Sequence, residues 1–153
     1  MKLDTDRFDV SVVVPAFNEA EGLPRFLEAI DRVLKPLDVR AELVFVNDGS
    51  RDATELVLQA IAAHRSDVVP VNFSRNFGKE AAMAAGLAVA RGDCVVFMDA
   101  DLQHPPEVLV ELQRSYRAAP TCERIQYELR VPAPSPATGT RASRSSISVQ
   151  LQP

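Results

Sequence analysis

Two aspartates, Asp99 and Asp101, are the residues whose type and spacing say most about chemistry. They follow the apolar run 96–98 and precede Pro105 and Pro106, which favour a helix start. In an extended backbone, the i and i+2 spacing places both side chains on the same side. Two carboxylates held together repel each other unless a cation lies between them, and hard divalent cations take oxygen ligands. This stretch therefore predicts a divalent-metal site for a phosphate-bearing substrate.

Apolar segments of strand length alternate with segments of helical spacing through the first 114 residues. The predicted strands are 10–15, 41–46, 68–73 and 94–98, and the predicted helices are 23–34, 53–64, 79–91 and 107–117. We expect Asp48-Gly49-Ser50 to supply a turn and a helix N-cap, and Gly92 to cap the third helix. Continuously apolar strands that alternate with helices predict an α/β fold, with a mostly parallel sheet covered by helices on both faces.

Polar loops follow all four predicted strands, at 15–19, 47–50, 74–79 and 99–103. Right-handed crossovers bring the carboxyl ends of parallel strands to one edge of the sheet, where ligands bind. Four such loops exceed what a bare scaffold needs, so we expect a binding site at this edge.

Composition excludes several classes of protein. The chain has 153 residues, of which 46% are hydrophobic and 25% charged, as in a globular domain. Residues 1–114 hold 12 basic and 19 acidic residues, a net charge of −7, which speaks against nucleic-acid binding. No apolar run approaches the ~20 residues that cross a bilayer. Cys94 and Cys122 are too few for a disulfide framework, and the N-terminus lacks a signal-peptide core, so we expect a cytoplasmic setting.

The last 39 residues differ from the rest. Residues 115–153 contain five Pro and six Ser, with no helical or strand periodicity, and predict a disordered tail. Arg outnumbers Lys 14 to 3, which suggests GC-rich coding. Reading GC-rich DNA in the wrong frame would give such a tail, so we hypothesise that residues 115–153 are either disordered or a frameshifted continuation.

Four segments, 12–19, 46–52, 74–81 and 99–107, resemble the corresponding motifs of family 2 glycosyltransferases. Within that family they are most similar to the polyprenol-phosphate sugar synthases, such as dolichol-phosphate mannosyltransferase and the bactoprenol glucosyltransferases. Four motifs in the family's order are far more specific than one. The resemblance covers residues 8–114 and implies a Rossmann-like GT-A fold. Members carry a second half with the acceptor site. The resemblance therefore also implies that residues 1–114 are the N-terminal, nucleotide-sugar-binding part of a GT-A domain that is truncated or frameshifted after this part.

The resemblance implies a nucleotide-sugar donor, a UDP- or GDP-hexose. By position, the residues that line its base and ribose are Pro15, Ala16, Phe17 and Glu19. Asp48 is expected to accept hydrogen bonds from the base. Further residues expected near the donor are Asn76, Gly78, Lys79 and Asp99.

The resemblance also implies a Mg²⁺ or Mn²⁺ cofactor at the catalytic residues Asp99 and Asp101. Asp101 and Gln103 are expected to coordinate the ion, and Asp99 to bind the metal, its waters or the ribose. The implied reaction is inverting transfer of the sugar to a polyprenyl-phosphate lipid. That acceptor is already ionised, so a strong general base is less necessary. Peripheral attachment to the inner face of the membrane stays open, as does homo-oligomerisation through exposed sheet edges.

Other interpretations compete with these. The chain could be a remnant that binds nucleotide sugar and metal without turnover. Among other α/β phosphate enzymes, the glycine loops of P-loop and Rossmann proteins are absent, and dehalogenase-type phosphatases carry Asp-x-Asp on the first strand. Asp99 and Asp101 could simply cap a helix, and Glu19 could be a first-turn acid. Lys79 and Arg75 could be solvated, and His104 is more typical of a surface residue than of a ligand.

Overall fold

The computed structural model of the protein describes residues 8–102, 106–107 and 109–111. Strands and helices alternate in these residues as the sequence predicts. In chain order they are β1 (Phe8–Ala16), α1 (Leu23–Leu34), β2 (Ala41–Asn47), α2 (Thr54–His64), β3 (Val68–Asn72), α3 (Lys79–Val89) and β4 (Gly92–Phe97). Residues 109–111 are helical. Residue 107, where the fourth helix was predicted to begin, lies in a turn. Residues 108 and 112–117 of that predicted helix, the predicted tail, Gln103 and His104 lie outside the described residues.

The four strands form one parallel sheet in the order β3-β2-β1-β4, which confirms the predicted parallel architecture. At the centre, Val12 of β1 lies opposite Leu43 of β2 and Val96 of β4. At the carboxyl edge, Asn47 lies opposite Ala16 on one side and Asn72 on the other. The loops that follow β1, β2 and β3 therefore leave the sheet at the same level.

Each face of the sheet has its own hydrophobic core, which explains why the strands are apolar without alternation. Val12 and Phe45 pack with Phe26 of α1 and with α2 on one face, where the two phenylalanine rings meet edge to face at 5.8 Å. Val13 packs with Ala82 of α3 on the other face. Successive residues of β1 thus point to opposite cores.

Gly86 lets α3 approach the sheet closely. A Cβ atom at this position would lie 2.2 Å from Cγ1 of Val13 and 3.2 Å from Cγ2 of Val46, so any side chain would push the helix away. The close packing sets the position of the amino end of α3, where Lys79 begins the helix at the carboxyl edge of the sheet.

Two local predictions were wrong. Gly92 does not cap α3, because that helix ends at Val89 and Gly92 is the first residue of β4. A Cβ atom on Gly92 would lie 2.5 Å from the backbone N of Ser11, so glycine permits the close approach of β1. Ser50 does not cap α2, whose N-cap position is Ala53. Its hydroxyl instead accepts a hydrogen bond from the backbone N–H of Asn18.

The amino edge of the sheet holds a fully buried carboxylate, Glu42. It accepts hydrogen bonds from the Ser11 hydroxyl at 2.6 Å and from the backbone N–H of Arg91 at 2.5 Å. The Arg91 guanidinium adds a hydrogen bond at 3.0 Å and an ion pair at 2.9 Å. Every buried side-chain polar atom among the described residues has a partner, as native interiors require.

None of the described helices is both long enough and apolar enough to span a membrane.

Candidate functional site

The loops after β1 and β2 are joined by reciprocal hydrogen bonds at the carboxyl edge of the sheet. The Ser50 hydroxyl accepts from the Asn18 N–H at 2.9 Å, and the Asn18 side-chain oxygen accepts from the Arg51 N–H at 2.8 Å. The Thr54 hydroxyl accepts from the Glu19 N–H at 2.9 Å. Asn18 has a φ of 55°, a left-handed conformation that asparagine tolerates better than most residues. These contacts fix the loop that carries the predicted nucleotide-binding residues.

Asp52 strengthens this junction, although it was not among the predicted site residues. One carboxylate oxygen accepts from the backbone N–H and the hydroxyl of Thr54, at 3.0 and 2.5 Å. The other accepts from the Ala20 N–H at 3.2 Å. The hydrogen bond from the Thr54 hydroxyl is the main reason that the pKa of Asp52 is lowered. The Asp-x-Thr pattern beside a helix start was the signal that could have identified it.

Asp48 joins the loop after β2 to the loop after β3. Its buried carboxylate accepts from the backbone N–H groups of Phe77 at 2.7 Å and Gly78 at 3.0 Å. Gly49 extends the contact, since a Cβ atom there would lie 2.2 Å from the carbonyl carbon of Arg75. The structure therefore assigns Asp48 a positioning role. Each carboxylate oxygen keeps a second lone pair, so Asp48 can still accept a hydrogen bond from a base. That contact stays a prediction.

Asp99 forms an ion pair with Lys79 across the site. The Lys79 ammonium lies 2.5 Å from Oδ1 of Asp99, and the side chains are 60% and 31% exposed. Because β4 ends at Phe97 and the chain turns at 100–101, the predicted strand alternation does not extend to the two aspartates. Asp99 thus faces the start of α3, whereas Asp101 is close enough to Glu19 to affect its titration.

Glu19 lies among other carboxylates. Burial of this half-buried side chain raises its pKa most, and the negative charges of Asp101 and Asp52 raise it further. Glu19 is not a first-turn acid, because Gly22 is the N-cap of α1 and the first turn holds no acidic residue. This result removes the first-turn interpretation of Glu19. Glu19, Asp52 and Asp101 form an acidic rim at this edge of the sheet.

Two exposed aromatic rings lie in the loops at this edge of the sheet. Phe17, in the loop after β1, is 43% exposed, and Phe77, in the loop after β3, is 51% exposed. The guanidinium of Arg75 stacks over the Phe77 ring at 4.4 Å, so Arg75 is not simply solvated. Phe73 meets the same ring edge to face at 5.4 Å. The face of an exposed aromatic ring is suited to stacking against a planar heterocycle.

The remaining predicted residues divide between core and surface. Ala16 is buried, and its carbonyl accepts from the Asp48 N–H, whereas Pro15 is half-buried. Asn76 and Gly78 lie in the loop that Asp48 holds, and Gly78 has a φ of 98°.

The donor set at this edge fits a hard divalent ion that retains waters. No cluster of three or more His, Cys, Asp or Glu residues that could hold a metal occurs among the described residues. Mg²⁺ commonly binds through one or two carboxylates and completes its shell with waters and substrate phosphates. Asp99, which already accepts a cationic group, and Asp101 provide carboxylates of that kind.

Comparison with known sequences identifies the family. The sequence model for "Glycosyl transferase family 2" matches residues 11–131, which is most of the chain. The chain belongs to glycosyltransferase family 2. It is 49% identical over 111 residues to a bactoprenol glucosyl transferase of Shigella phage SfV, a match that covers 71% of this chain and 36% of that protein.

A second relative is named for the transfer of a different sugar. An undecaprenyl-phosphate 4-deoxy-4-formamido-L-arabinose transferase of Pseudomonas fluorescens Pf-5 is 46% identical over 105 residues, covering 67% of this chain and 31% of that protein. The chain therefore spans about a third of the length of these relatives. Both names confirm the predicted resemblance to sugar transferases of the polyprenol-phosphate branch.

Solved structures of the GT-A type support the fold. A mannosyltransferase of Pyrobaculum calidifontis, in complex with GDP-Man and Mn²⁺, is 30% identical with a TM-score of 0.61, covering 73% of this chain and 33% of that one. TarS of S. aureus, in complex with UDP, has a TM-score of 0.60 over 83% of this chain and 38% of that one. At 22% identity, TarS bears on the fold alone.

Proposed function

We propose that this chain binds a nucleotide-sugar donor at the carboxyl edge of the sheet and takes part in sugar transfer to a polyprenyl phosphate. The observation that carries the proposal is the convergence there of four loops: Asp48 and the Thr54–Asp52 pair lock three of them together, and the Lys79–Asp99 contact adds the fourth. Family membership and the names of the relatives support the reaction class.

The exposed aromatic rings and the loop backbone suit the nucleotide. Phe17 and Phe77 offer apolar faces, and Arg75 over Phe77 adds a cation beside them. We assign this side of the edge to the base and ribose. A titration with different nucleotide sugars identifies the nucleobase and the sugar of the donor.

The carboxylates suit the diphosphate through a cation. A bound Mg²⁺ or Mn²⁺ would offset the negative charge that develops on the departing nucleoside diphosphate. We assign Asp101 to direct coordination and Asp99 to the ion's waters or the ribose. The Pyrobaculum calidifontis mannosyltransferase, whose complex holds both GDP-Man and Mn²⁺, supports the assignment of a divalent ion.

The proposed reaction is a direct displacement with inversion at the sugar carbon. The acceptor phosphate is ionised at neutral pH and needs no strong base to activate it. Binding to a lipid acceptor would bring the protein to the membrane surface.

The test is a titration of the full chain with UDP-glucose, UDP-galactose and GDP-mannose, with and without Mn²⁺. We expect one donor to bind, and Asp101→Ala to reduce its Mn²⁺-dependent affinity by at least tenfold. Glu28→Ala, which removes a carboxylate from an exposed position of α1, is the matched control and should bind like the wild type.

Equal donor affinity in wild type and Asp101→Ala would overturn the assigned metal role. Transfer to undecaprenyl phosphate, monitored by release of the nucleoside diphosphate, tests the reaction itself. Donor binding without transfer would support the alternative of a binding module.

A further inference from the structure

Lys79 carries a charge that its position in the helix does not favour. It is the first residue of α3, directly after the N-cap Gly78. Because the amino end of a helix has a partial positive charge, a cation there is unfavourable. The side chain is 60% exposed, so packing of its stem does not account for its orientation. The ion pair with Asp99 compensates for the unfavourable position of the Lys79 charge.

The same carboxylate belongs to the proposed metal site. The ammonium lies 2.5 Å from Oδ1 of Asp99, within direct contact. An ammonium and a divalent cation that approach one carboxylate repel each other, so they compete for it. A diphosphate offers the ammonium another partner, because lysine binds phosphate oxygens as a point charge.

We propose that Lys79 is a charge-exchange residue, which neutralises Asp99 when the site holds no ligand and transfers to the diphosphate when donor and cation bind. This inference rests on the proposed function. Its consequence is that cation and donor bind cooperatively, since each favours the position of Lys79 that the other needs. Such coupling is reciprocal: the donor strengthens cation binding by the same factor as the cation strengthens donor binding.

The surrounding charges make the exchange useful. The Thr54 hydroxyl joins Glu19 and Asp52, because it accepts a hydrogen bond from the Glu19 N–H and donates one to the Asp52 carboxylate, and the negative charge of Asp101 also acts on Glu19. Without a counter-charge, this rim would attract a divalent cation whether or not the donor is present. Lys79 reduces that attraction until the donor provides a new partner for the ammonium.

The experiment measures Mn²⁺ binding to the full chain from the electron paramagnetic resonance of the free ion. The proteins are the wild type, Lys79→Met and Lys35→Met, each with and without the donor selected by the titration above. Lys35→Met removes the same charge at the C-cap of α1 and is the matched control. Replacing a cation at the start of α3 should not destabilise the helix, so Lys79→Met is expected to fold.

Without donor, we expect Lys79→Met to bind Mn²⁺ about two- to fivefold more tightly than the wild type, the range that one exposed ion pair supports. The factor by which donor strengthens Mn²⁺ binding should fall in the same variant. Lys79→Arg should keep part of that factor, and Lys35→Met all of it.

The two hypotheses fail in different ways. If the wild type binds donor with Mn²⁺ but Lys79→Met has the same Mn²⁺ affinity and the same donor enhancement, the charge exchange is wrong and the proposed function stands. If the wild type binds no nucleotide sugar in the presence of Mn²⁺, both are wrong.

Discussion

The carboxylates at the two edges of the sheet lie in opposite electrostatic environments. At the amino edge, Glu42 is fully buried, and its carboxylate accepts hydrogen bonds from Ser11 and Arg91. At the carboxyl edge, partial burial raises the pKa of Glu19, and the negative charges of Asp101 and Asp52 raise it further. Both edges belong to the same four strands, so the difference comes from the loops.

The contrast separates stabilising electrostatics from functional electrostatics. A buried carboxylate persists only where hydrogen bonds and a counter-charge offset its desolvation, and Glu42 has both. Carboxylates gathered without full compensation cost stability but can hold a cation. The amino edge therefore maintains the fold, whereas the carboxyl edge carries the proposed binding site.

The largest expected effect is at the amino edge. Glu42→Ala leaves the Ser11 hydroxyl and the Arg91 N–H without their buried acceptor, and should reduce the free energy of unfolding by about 4 kcal/mol. Urea denaturation of the full chain measures it. A loss below about 1 kcal/mol, similar to that of a surface substitution, would contradict the assigned role.

A pair of glycine variants tests how tightly the carboxyl-edge loops are packed. Gly49→Ala meets both a left-handed φ of 64° and the Arg75 backbone, and should cost about 3 kcal/mol. Gly78→Ala has open space around it, but its φ of 98° and ψ of 160° lie in a region that glycine almost alone adopts, so it should cost about 2 kcal/mol. A smaller loss for Gly49→Ala than for Gly78→Ala in urea denaturation would show that the contact with Arg75 does not matter.

Asp48→Ala should uncouple the loop after β3 from that after β2. The amides of Phe77 and Gly78 lose their acceptor, and we expect about 1–2 kcal/mol of destabilisation. Hydrogen exchange provides the sharper measurement, because those two amides should exchange faster while amides in β2 stay protected. Unchanged protection at both positions would refute the positioning role.

The smallest effect is at Glu19 and has the opposite sign. Because its pKa is raised, the charged form is less favourable in the folded protein than in the unfolded one. Glu19→Gln should therefore stabilise the protein at pH 7, by about 0.5 kcal/mol after allowance for solvent screening. The advantage should disappear as the pH falls below the ordinary value of 4.5, where the wild-type carboxyl is protonated in both states. If the wild type and Glu19→Gln have the same free energy of unfolding at every pH from 3 to 7, the pKa of Glu19 is not raised in the folded protein.

The fold was predictable because its signals are local. Four apolar runs alternate with helical segments, and each predicted element up to β4 exists with ends within two residues of the prediction. The errors lie where two segments approach in space. Gly92 is of the residue type that commonly caps a helix, yet it begins β4. Glycine is needed there because the backbone of Ser11 passes close to it.

The convergence of the polar loops was predictable for the same reason. Parallel strands bring their carboxyl ends together, so the loop positions alone indicate an edge with Asp48, Asp99 and Asp101. The partners were not predictable. The ion pair between Lys79 and Asp99 joins residues 20 positions apart. The hydrogen bond from the Phe77 amide to Asp48 joins residues 29 positions apart. No pattern within a single loop specifies either contact.

The alternation of elements, the polar loops and the membership of a glycosyltransferase family all follow from the order of the amino acids, because periodicity, turn residues and motifs are properties of neighbouring positions. Which carboxylates are neutralised and which remain crowded does not follow from that order. It depends on distances of a few ångströms between side chains from different loops, and the packing of α3 and the loops against one sheet sets those distances.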